Sequence, residues 1–135
     1  MSDIGSFTAD MAGMGKAEIR GKRILVADDE QGVREAIKLL LMLDDHKVTE
    51  AATGLAAFDL FKRKTFDLVI TDYEMPQMKG NELAIRIKEI SPSQPIIMIT
   101  AFADKLADAE NPVDAVVHKP FELSDLRRTM AELLS

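Results

Sequence analysis

The sequence predicts an α/β fold, a doubly wound sheet of five parallel strands with helices on both faces. Two observations predict it. Short apolar runs alternate with segments of helical periodicity from residue 22 onward, and five such strand–helix units follow one another. Because crossovers between parallel strands are right-handed, five units in a row favour one open sheet covered by helices. The 135 residues, 47% of them hydrophobic, suffice for one domain with its own core.

The predicted strands are short, mostly apolar and bounded by polar or turn-forming residues. The third is almost continuously apolar, as expected of a strand that helices cover on both faces. We place the strands at 22–28, 46–51, 66–71, 95–100 and 114–118.

Each predicted helix has apolar residues three or four positions apart, which is typical of one buried face. The fourth is short and precedes Asn111-Pro112, and a loop with Pro76 and Gly80 comes before the third. We place the helices at 30–43, 54–64, 81–90, 104–109 and 122–134.

Residues 1–20 differ in composition from the rest of the chain. Three of the eight methionines lie there with Gly5, Gly13 and Gly15, and no steady period is visible. A segment of this kind buries too little apolar surface to order itself. We therefore expect a flexible N-terminal arm over 1–20 and the folded domain over 21–135.

The composition excludes several classes of function. The net charge of −6 argues against direct binding of nucleic acid. The absence of cysteine excludes disulfides, thiolate catalysis and cysteine-ligated metals. No apolar run approaches the roughly 20 residues that span a bilayer, and the first residues lack the pattern of a signal peptide. A soluble cytoplasmic protein without membrane contact is the expectation.

Five polar positions lie at or just after the ends of four predicted strands: Asp28, Asp29, Asp72, Thr100 and Lys119. Because the carboxyl ends of parallel strands meet at one edge of an open sheet, these side chains should share one pocket, at the edge where such sheets bind ligands. An all-oxygen set of few ligands favours Mg²⁺ over Ca²⁺ or Zn²⁺. Mg²⁺ there would reduce the repulsion between Asp72 and an incoming phosphoryl group.

Four of these five residues also have a simpler interpretation. Asp28 and Asp29 are suited to capping the helix that follows them. Thr100 fits a strand by its β-propensity alone. Lys119 could be an ordinary surface lysine, although it ends an apolar run, where surface lysines are uncommon.

Four motifs in register resemble those of the response-regulator receiver domain over about 22–134. They are Asp28-Asp29, the segment from Asp72 to Gly80 (DYEMPQMKG), Thr100-Ala101 and Lys119-Pro120-Phe121. The resemblance implies a flavodoxin-like sheet of order 2-1-3-4-5 and phosphorylation of Asp72 by a sensor histidine kinase or phosphotransfer protein.

The same resemblance implies a role for each site residue. Mg²⁺ would be held by Asp29, Asp72 and the main-chain carbonyl of Glu74, with Asp28 joining through water. Thr100 and Lys119 would sense the phosphoryl group.

Other positions that the resemblance brings into view are less regular. Glu74 and Phe102 occupy the positions that tune phosphate lifetime, and we expect Phe102 to shield the acyl phosphate from water. Val116 replaces the aromatic residue that commonly rotates on activation. Only 18 residues separate Thr100 from Lys119, which predicts a short fourth helix and an altered output surface.

Three functions are compatible with these residues. The first is a phosphoacceptor switch that modifies only itself and changes its partner-binding surface. The second is a degenerate receiver that binds proteins without switching, which Val116 favours. The third is a Mg²⁺-dependent phosphatase or phosphotransferase, which Asp72-Tyr73-Glu74 fits poorly because a dedicated acid or base is missing. The output and the dimer state are left open.

Overall fold

The computed structural model of the protein describes residues 19–102 and 111–135. Residues 1–18 of the arm expected over 1–20 lie outside the described residues. The short helix expected at 104–109 lies outside them as well. The other predicted strands and helices all fall within the described ranges.

The sheet has five parallel strands in the order β2-β1-β3-β4-β5, which confirms the predicted fold class and strand order. The register aligns the carboxyl ends of the central strands, since Ala27 pairs with both Ala51 and Thr71. The strands are β1 (Arg23–Ala27), β2 (Lys47–Ala51), β3 (Leu68–Thr71), β4 (Ile96–Thr100) and β5 (Ala115–His118).

Four helices cover the sheet in the described part of the chain. Local signals set several of their ends. The Thr53 hydroxyl accepts the Ala56 N–H at the start of α2, and a reciprocal capping box of Glu122 and Asp125 begins α4. The helices are α1 (Gln31–Met42), α2 (Gly54–Arg63), α3 (Gly80–Ile90) and α4 (Leu123–Leu134).

Two apolar clusters, one on each face of the sheet, form the core. Alternate residues of β1 divide between them, with Leu25 and Ala27 in one and Ile24 and Val26 in the other. The first cluster includes residues of α2 and α3, and the second includes residues of α1 and α4. The central strands are therefore covered on both faces, as their continuous apolar sequences predict. Within the described ranges, none of the helices combines the length and the apolar character needed to cross a bilayer.

An ion pair between buried Asp44 and the partly exposed Arg127 joins α4 to the turn between α1 and β2. Asp44 is 5% exposed, and its two carboxylate oxygens each accept a hydrogen bond from Arg127 at 2.8 Å. The hydrogen bonding from Arg127 holds the pKa of Asp44 below its ordinary value. Paired in this way, the Asp44 carboxylate is tolerated in the interior.

The Arg127→Met variant should lower the free energy of unfolding by about 1–3 kcal/mol, because it removes two charge-assisted hydrogen bonds from a buried carboxylate. Arg128→Met is the matched control: Arg128 is exposed and pairs with exposed Asp125. That change should cost less than about 1 kcal/mol. Urea denaturation at neutral pH measures both. Equal losses in the two variants would contradict this role of the Asp44–Arg127 pair.

Candidate functional site

Hydrogen bonds between strands continue one residue past the strand ends and fix the backbone of the site. The Asp28 N–H donates to the last residue of β2 at 3.1 Å, and the Asp72 N–H donates to the last residue of β1 at 2.9 Å. The Lys119 N–H donates in the same way to Thr100 of β4 at 2.9 Å. The regular sheet thus fixes the backbone position from which each of these side chains extends.

Three carboxylates converge at this edge, as the sequence predicts. One oxygen from each of Asp28, Asp29 and Asp72 lies within 4.8 Å of the others. Asp28 and Asp72 are buried, whereas Asp29 is exposed. Two carboxylates about 4 Å apart repel by roughly 1–4 kcal/mol, depending on the effective dielectric. The cluster therefore favours a bound cation, and its oxygen ligands with one open side fit Mg²⁺.

Asp28 is held by the protein on both of its carboxylate oxygens. Oδ1 accepts the Glu30 N–H at 2.9 Å, and Oδ2 accepts a hydrogen bond from Lys119 Nζ at 3.2 Å. The N-cap of α1 is Glu30, which makes no side-chain cap bond. Asp28 thus closes the turn before the helix rather than capping the helix itself.

Lys119 is part of the cluster and not an ordinary surface lysine. Its side chain is 18% exposed, and Nζ lies 3.2 Å from Asp28 Oδ2 and 3.6 Å from Asp72 Oδ1. The ammonium group thus bridges two of the three carboxylates and offsets part of their repulsion.

Asp72 is the carboxyl group whose ionisation the surroundings disfavour most clearly. Burial raises its pKa to about 6, while the Lys119 charge and the Tyr73 N–H act in the opposite direction. The N–H of Tyr73 donates to Oδ1 at 2.8 Å. The charges of Asp28 and Asp29 add to the rise. At neutral pH Asp72 is ionised but costly to keep so, which makes it responsive to any cation placed beside it.

The loop after Asp72 is folded back tightly against it. The Gly80 N–H donates to the Tyr73 carbonyl at 2.8 Å, and a Cβ on Gly80 would overlap the Asp72 carbonyl oxygen. Met75 and Met78, which belong to this loop, are buried. Sequence reasoning treated Gly80 only as a loop signal, and the close approach that demands glycine depends on a loop conformation that no periodicity predicts.

Thr100 and Phe102 lie at the end of β4. Thr100 is buried, and its hydroxyl accepts the Phe102 N–H at 3.0 Å. Its main-chain carbonyl accepts the Lys119 N–H, but within residues 19–102 and 111–135 no hydrogen bond joins the Thr100 hydroxyl to the side chain of Asp72 or Lys119. Phe102 is 45% exposed. The roles assigned to these two residues therefore stay predictions.

Two further predicted positions lie around the pocket. The Glu74 carboxylate is 3.8 Å from Lys79 Nζ at the surface. Val116 lies half-buried in β5, opposite Met98 of β4. Metal binding by the Glu74 carbonyl stays a prediction, and so does the loss of a rotating-aromatic relay at Val116.

Arg34 contacts the site although sequence reasoning did not select it. Its NH1 donates to the Asp28 carbonyl oxygen at 2.7 Å, and its Nε donates to Glu50 Oε1 at 3.1 Å. An arginine on an amphipathic helix normally indicates a solvated face, so nothing in a single sequence distinguishes this one.

The sequence matches known proteins over most of its length. The family profile described as the response regulator receiver domain covers residues 24–131. The response regulator receiver protein CpdR of Brucella abortus (strain 2308) is 38% identical over 116 residues, which are 84% of this chain and 97% of that protein. Sporulation initiation phosphotransferase F of Bacillus subtilis (strain 168) is 28% identical over 116 residues, with 84% and 94% covered. Other curated relatives are longer, and the chain spans 50% of their length.

The fold also matches solved structures. The response regulator TrrA of Thermotoga maritima, solved in complex with Mg²⁺-BeF, superposes with a TM-score of 0.80 at 35% sequence identity. The match covers 84% of this chain and 99% of that one. At this identity the likeness extends beyond the fold to the sequence that builds it.

The Asp72→Asn variant should be more stable than the unmodified chain when Mg²⁺ is absent. The folded-state pKa of Asp72 is raised from 3.8 to about 6, so its contribution to stability is full below about pH 3.8 and is lost as the pH rises through 6. A neutral asparagine should therefore raise the unfolding free energy by about 1–3 kcal/mol at pH 8, and roughly half as much at pH 5.

Urea denaturation in EDTA at the two pH values measures this difference. Asp59→Asn is the control, since Asp59 is exposed and pairs only with exposed Arg63 among the ion partners described. A stabilisation by Asp72→Asn that does not decrease at pH 5, or that Asp59→Asn reproduces, would argue against a strained Asp72 carboxylate.

Proposed function

The chain belongs to the response-regulator receiver family, and we propose from this premise that it is a phosphoacceptor switch of two-component signalling. Asp72 receives a phosphoryl group from a phosphohistidine on a sensor histidine kinase or phosphotransfer protein, and the chain then changes its partner-binding surface. The observation that carries the proposal is the convergence of three carboxylates within 4.8 Å beside Lys119. A cytoplasmic location follows from such donors.

The residues at the site fit Mg²⁺. Asp29 and Asp72 would hold the ion with the main-chain carbonyl of Glu74, and Asp28 would join through water, because both of its oxygens already accept hydrogen bonds. When bound, Mg²⁺ offsets the repulsion between Asp72 and the phosphoryl group and stabilises charge on the phosphoryl oxygens. The Mg²⁺-BeF complex of TrrA supports this choice of ion.

The hydrogen bonds of Asp72 favour one of its oxygens as the nucleophile. Oδ1 accepts the Tyr73 N–H and faces Lys119, whereas Oδ2 makes no hydrogen bond with the described residues. Oδ2 attacks phosphorus, a P–O bond forms, and the P–N bond to the donor histidine breaks with its electron pair left on the imidazole nitrogen. Lys119 keeps Asp72 ionised before transfer and can pair with a phosphoryl oxygen afterwards.

Thr100 offers a route from the phosphoryl group to the surface. Its hydroxyl can donate to a phosphoryl oxygen while still accepting the Phe102 N–H. A movement of Thr100 towards Asp72 would thus draw Phe102 with it. Phosphorylation would then favour a different surface, provided that the two conformations differ in their interaction with the phosphoryl group.

An apolar groove beside Lys119 supports a protein as the phosphoryl donor. The groove has a volume of about 380 Å³, and α1 lines it together with the segment after β5. It lies next to the pocket, where a donor histidine would have to approach. Its lining includes Gly32, Val33, Leu40, Pro120 and Phe121.

We propose that the chain is not a multiple-turnover enzyme, since the Glu74 carboxylate, two residues after Asp72, lies near Lys79 at the surface and not in the cluster of Asp28, Asp29 and Asp72. Val116 favours one alternative function, a receiver that binds partners without phosphorylation. The intact acidic cluster argues against it, because buried like charges are costly to maintain without a function.

Incubation with acetyl phosphate and Mg²⁺ should add one labile phosphoryl group per chain, detected by intact mass. The Asp72→Asn variant should stay unmodified, and chelation of Mg²⁺ by EDTA should abolish labelling of the unmodified chain. Asp59→Asn, which changes an exposed carboxylate in α2, should label normally. Labelling of Asp72→Asn would refute the assignment of the acceptor, and no labelling at all would favour the non-switching alternative.

The Phe102→Ala variant should lose its phosphoryl group at least about twofold faster, because a smaller side chain admits water to the acyl phosphate. The phosphorylated fraction is followed over time after the acetyl phosphate is removed. Leu55→Ala is the control, since Leu55 is 47% exposed, much like Phe102, but lies in α2. Equal decay rates for Phe102→Ala and the unmodified chain would rule out shielding.

A further inference from the structure

The turn that carries Asp28 and Asp29 is held at every polar atom of Asp28. The N–H donates to β2, and the two carboxylate oxygens accept hydrogen bonds from Glu30 and Lys119. The remaining polar atom is the carbonyl oxygen, which accepts a hydrogen bond from Arg34 NH1 at 2.7 Å. That carbonyl belongs to the peptide that joins Asp28 to Asp29.

Arg34 is itself fixed from a second direction. Its Nε donates to Glu50 Oε1 at 3.1 Å, and Lys38 Nζ binds the other oxygen of Glu50 at 3.2 Å. The Arg34 side chain is 15% exposed, and Glu50 lies on β2, next to the residue that receives the Asp28 N–H. The planar guanidinium therefore connects the acidic turn to the sheet through two bonds of fixed geometry.

We propose that Arg34 is a positioning residue for the metal site. By fixing the plane of the Asp28–Asp29 peptide, it sets the direction in which the exposed Asp29 carboxylate leaves the backbone towards Asp72. This inference rests on the proposed function, because it takes Mg²⁺ as the ligand of the acidic cluster. Without Arg34 the turn keeps its other bonds, but the peptide that orients Asp29 is no longer held.

Positioning and simple electrostatics predict opposite effects of removing Arg34. The guanidinium is a positive charge near the cluster, so its loss alone would strengthen the binding of a cation. Loss of orientation would weaken binding instead, and changes to residues that orient metal ligands typically cost about tenfold or more in affinity. The sign of the change therefore separates the two explanations.

Mg²⁺ titrations of the full chain test the proposal. The chain has one tyrosine, Tyr73, and no tryptophan. Because the Tyr73 N–H donates to Asp72, tyrosine fluorescence reports on the pocket. Calorimetry provides a second readout. The first variant, Arg34→Gln, removes the guanidinium group together with its charge. The second, Arg34→Lys, keeps the charge but cannot reproduce both hydrogen bonds. Lys38→Gln is the matched control, because Lys38 binds the same Glu50 without contacting Asp28.

We expect Arg34→Gln and Arg34→Lys to weaken Mg²⁺ binding about tenfold, and Lys38→Gln to leave it unchanged or slightly tighter. Urea denaturation without Mg²⁺ shows whether each variant folds. If Arg34→Gln does not fold, Arg34→Lys decides the test. Mg²⁺ binding by the Arg34 variants that is as tight as in the unmodified chain, or an equal loss in Lys38→Gln, would overturn the proposal. Failure of the unmodified chain to bind Mg²⁺ would instead overturn the metal site of the proposed function.

Discussion

The burial of the Asp72 carboxylate beside two other carboxylates is the constraint on which the rest of the site depends. Oxygens of the three groups lie within 4.8 Å of one another, and burial holds the pKa of Asp72 at about 6. The Tyr73 N–H donates to Asp72 Oδ1, and Lys119 Nζ lies 3.6 Å from the same oxygen. These two contacts offset part of the cost of burying the carboxylate. A group held in this balance responds strongly to a cation or to a change in its own charge, which suits the phosphoacceptor role proposed for it.

The strand order explains why these particular residues meet. β1 and β3 are neighbours in the sheet, so the residues that directly follow them lie side by side at its edge. β5 is separated from β3 by β4, and a group from β5 must therefore reach across a strand. Lys119 has the length to do so and still pairs with both Asp28 and Asp72. A shorter cation would leave the two buried carboxylates without a counter-charge.

Sequence patterns predicted the sheet, its strands and the meeting of Asp28, Asp29 and Asp72, because strand periodicity and the parallel arrangement determine where strand ends lie. They did not predict the bond from Arg34 to the Asp28 carbonyl or the close approach of Gly80 to Asp72. Both depend on the conformations of turns, which single residues do not encode. Thr100 is an intermediate case, since its place at the end of β4 was predicted but its bond from Phe102 was not.

The most direct test of the account is an NMR titration of the Asp72 side-chain carboxyl carbon in the full chain, with and without Mg²⁺. The account predicts a midpoint near pH 6 without metal, because burial raises the pKa of Asp72 to about 6. It also predicts a clearly lower midpoint with Mg²⁺, since a bound cation favours the ionised form. A midpoint near 4 that Mg²⁺ does not move would contradict both the strained carboxylate and the metal site built around it.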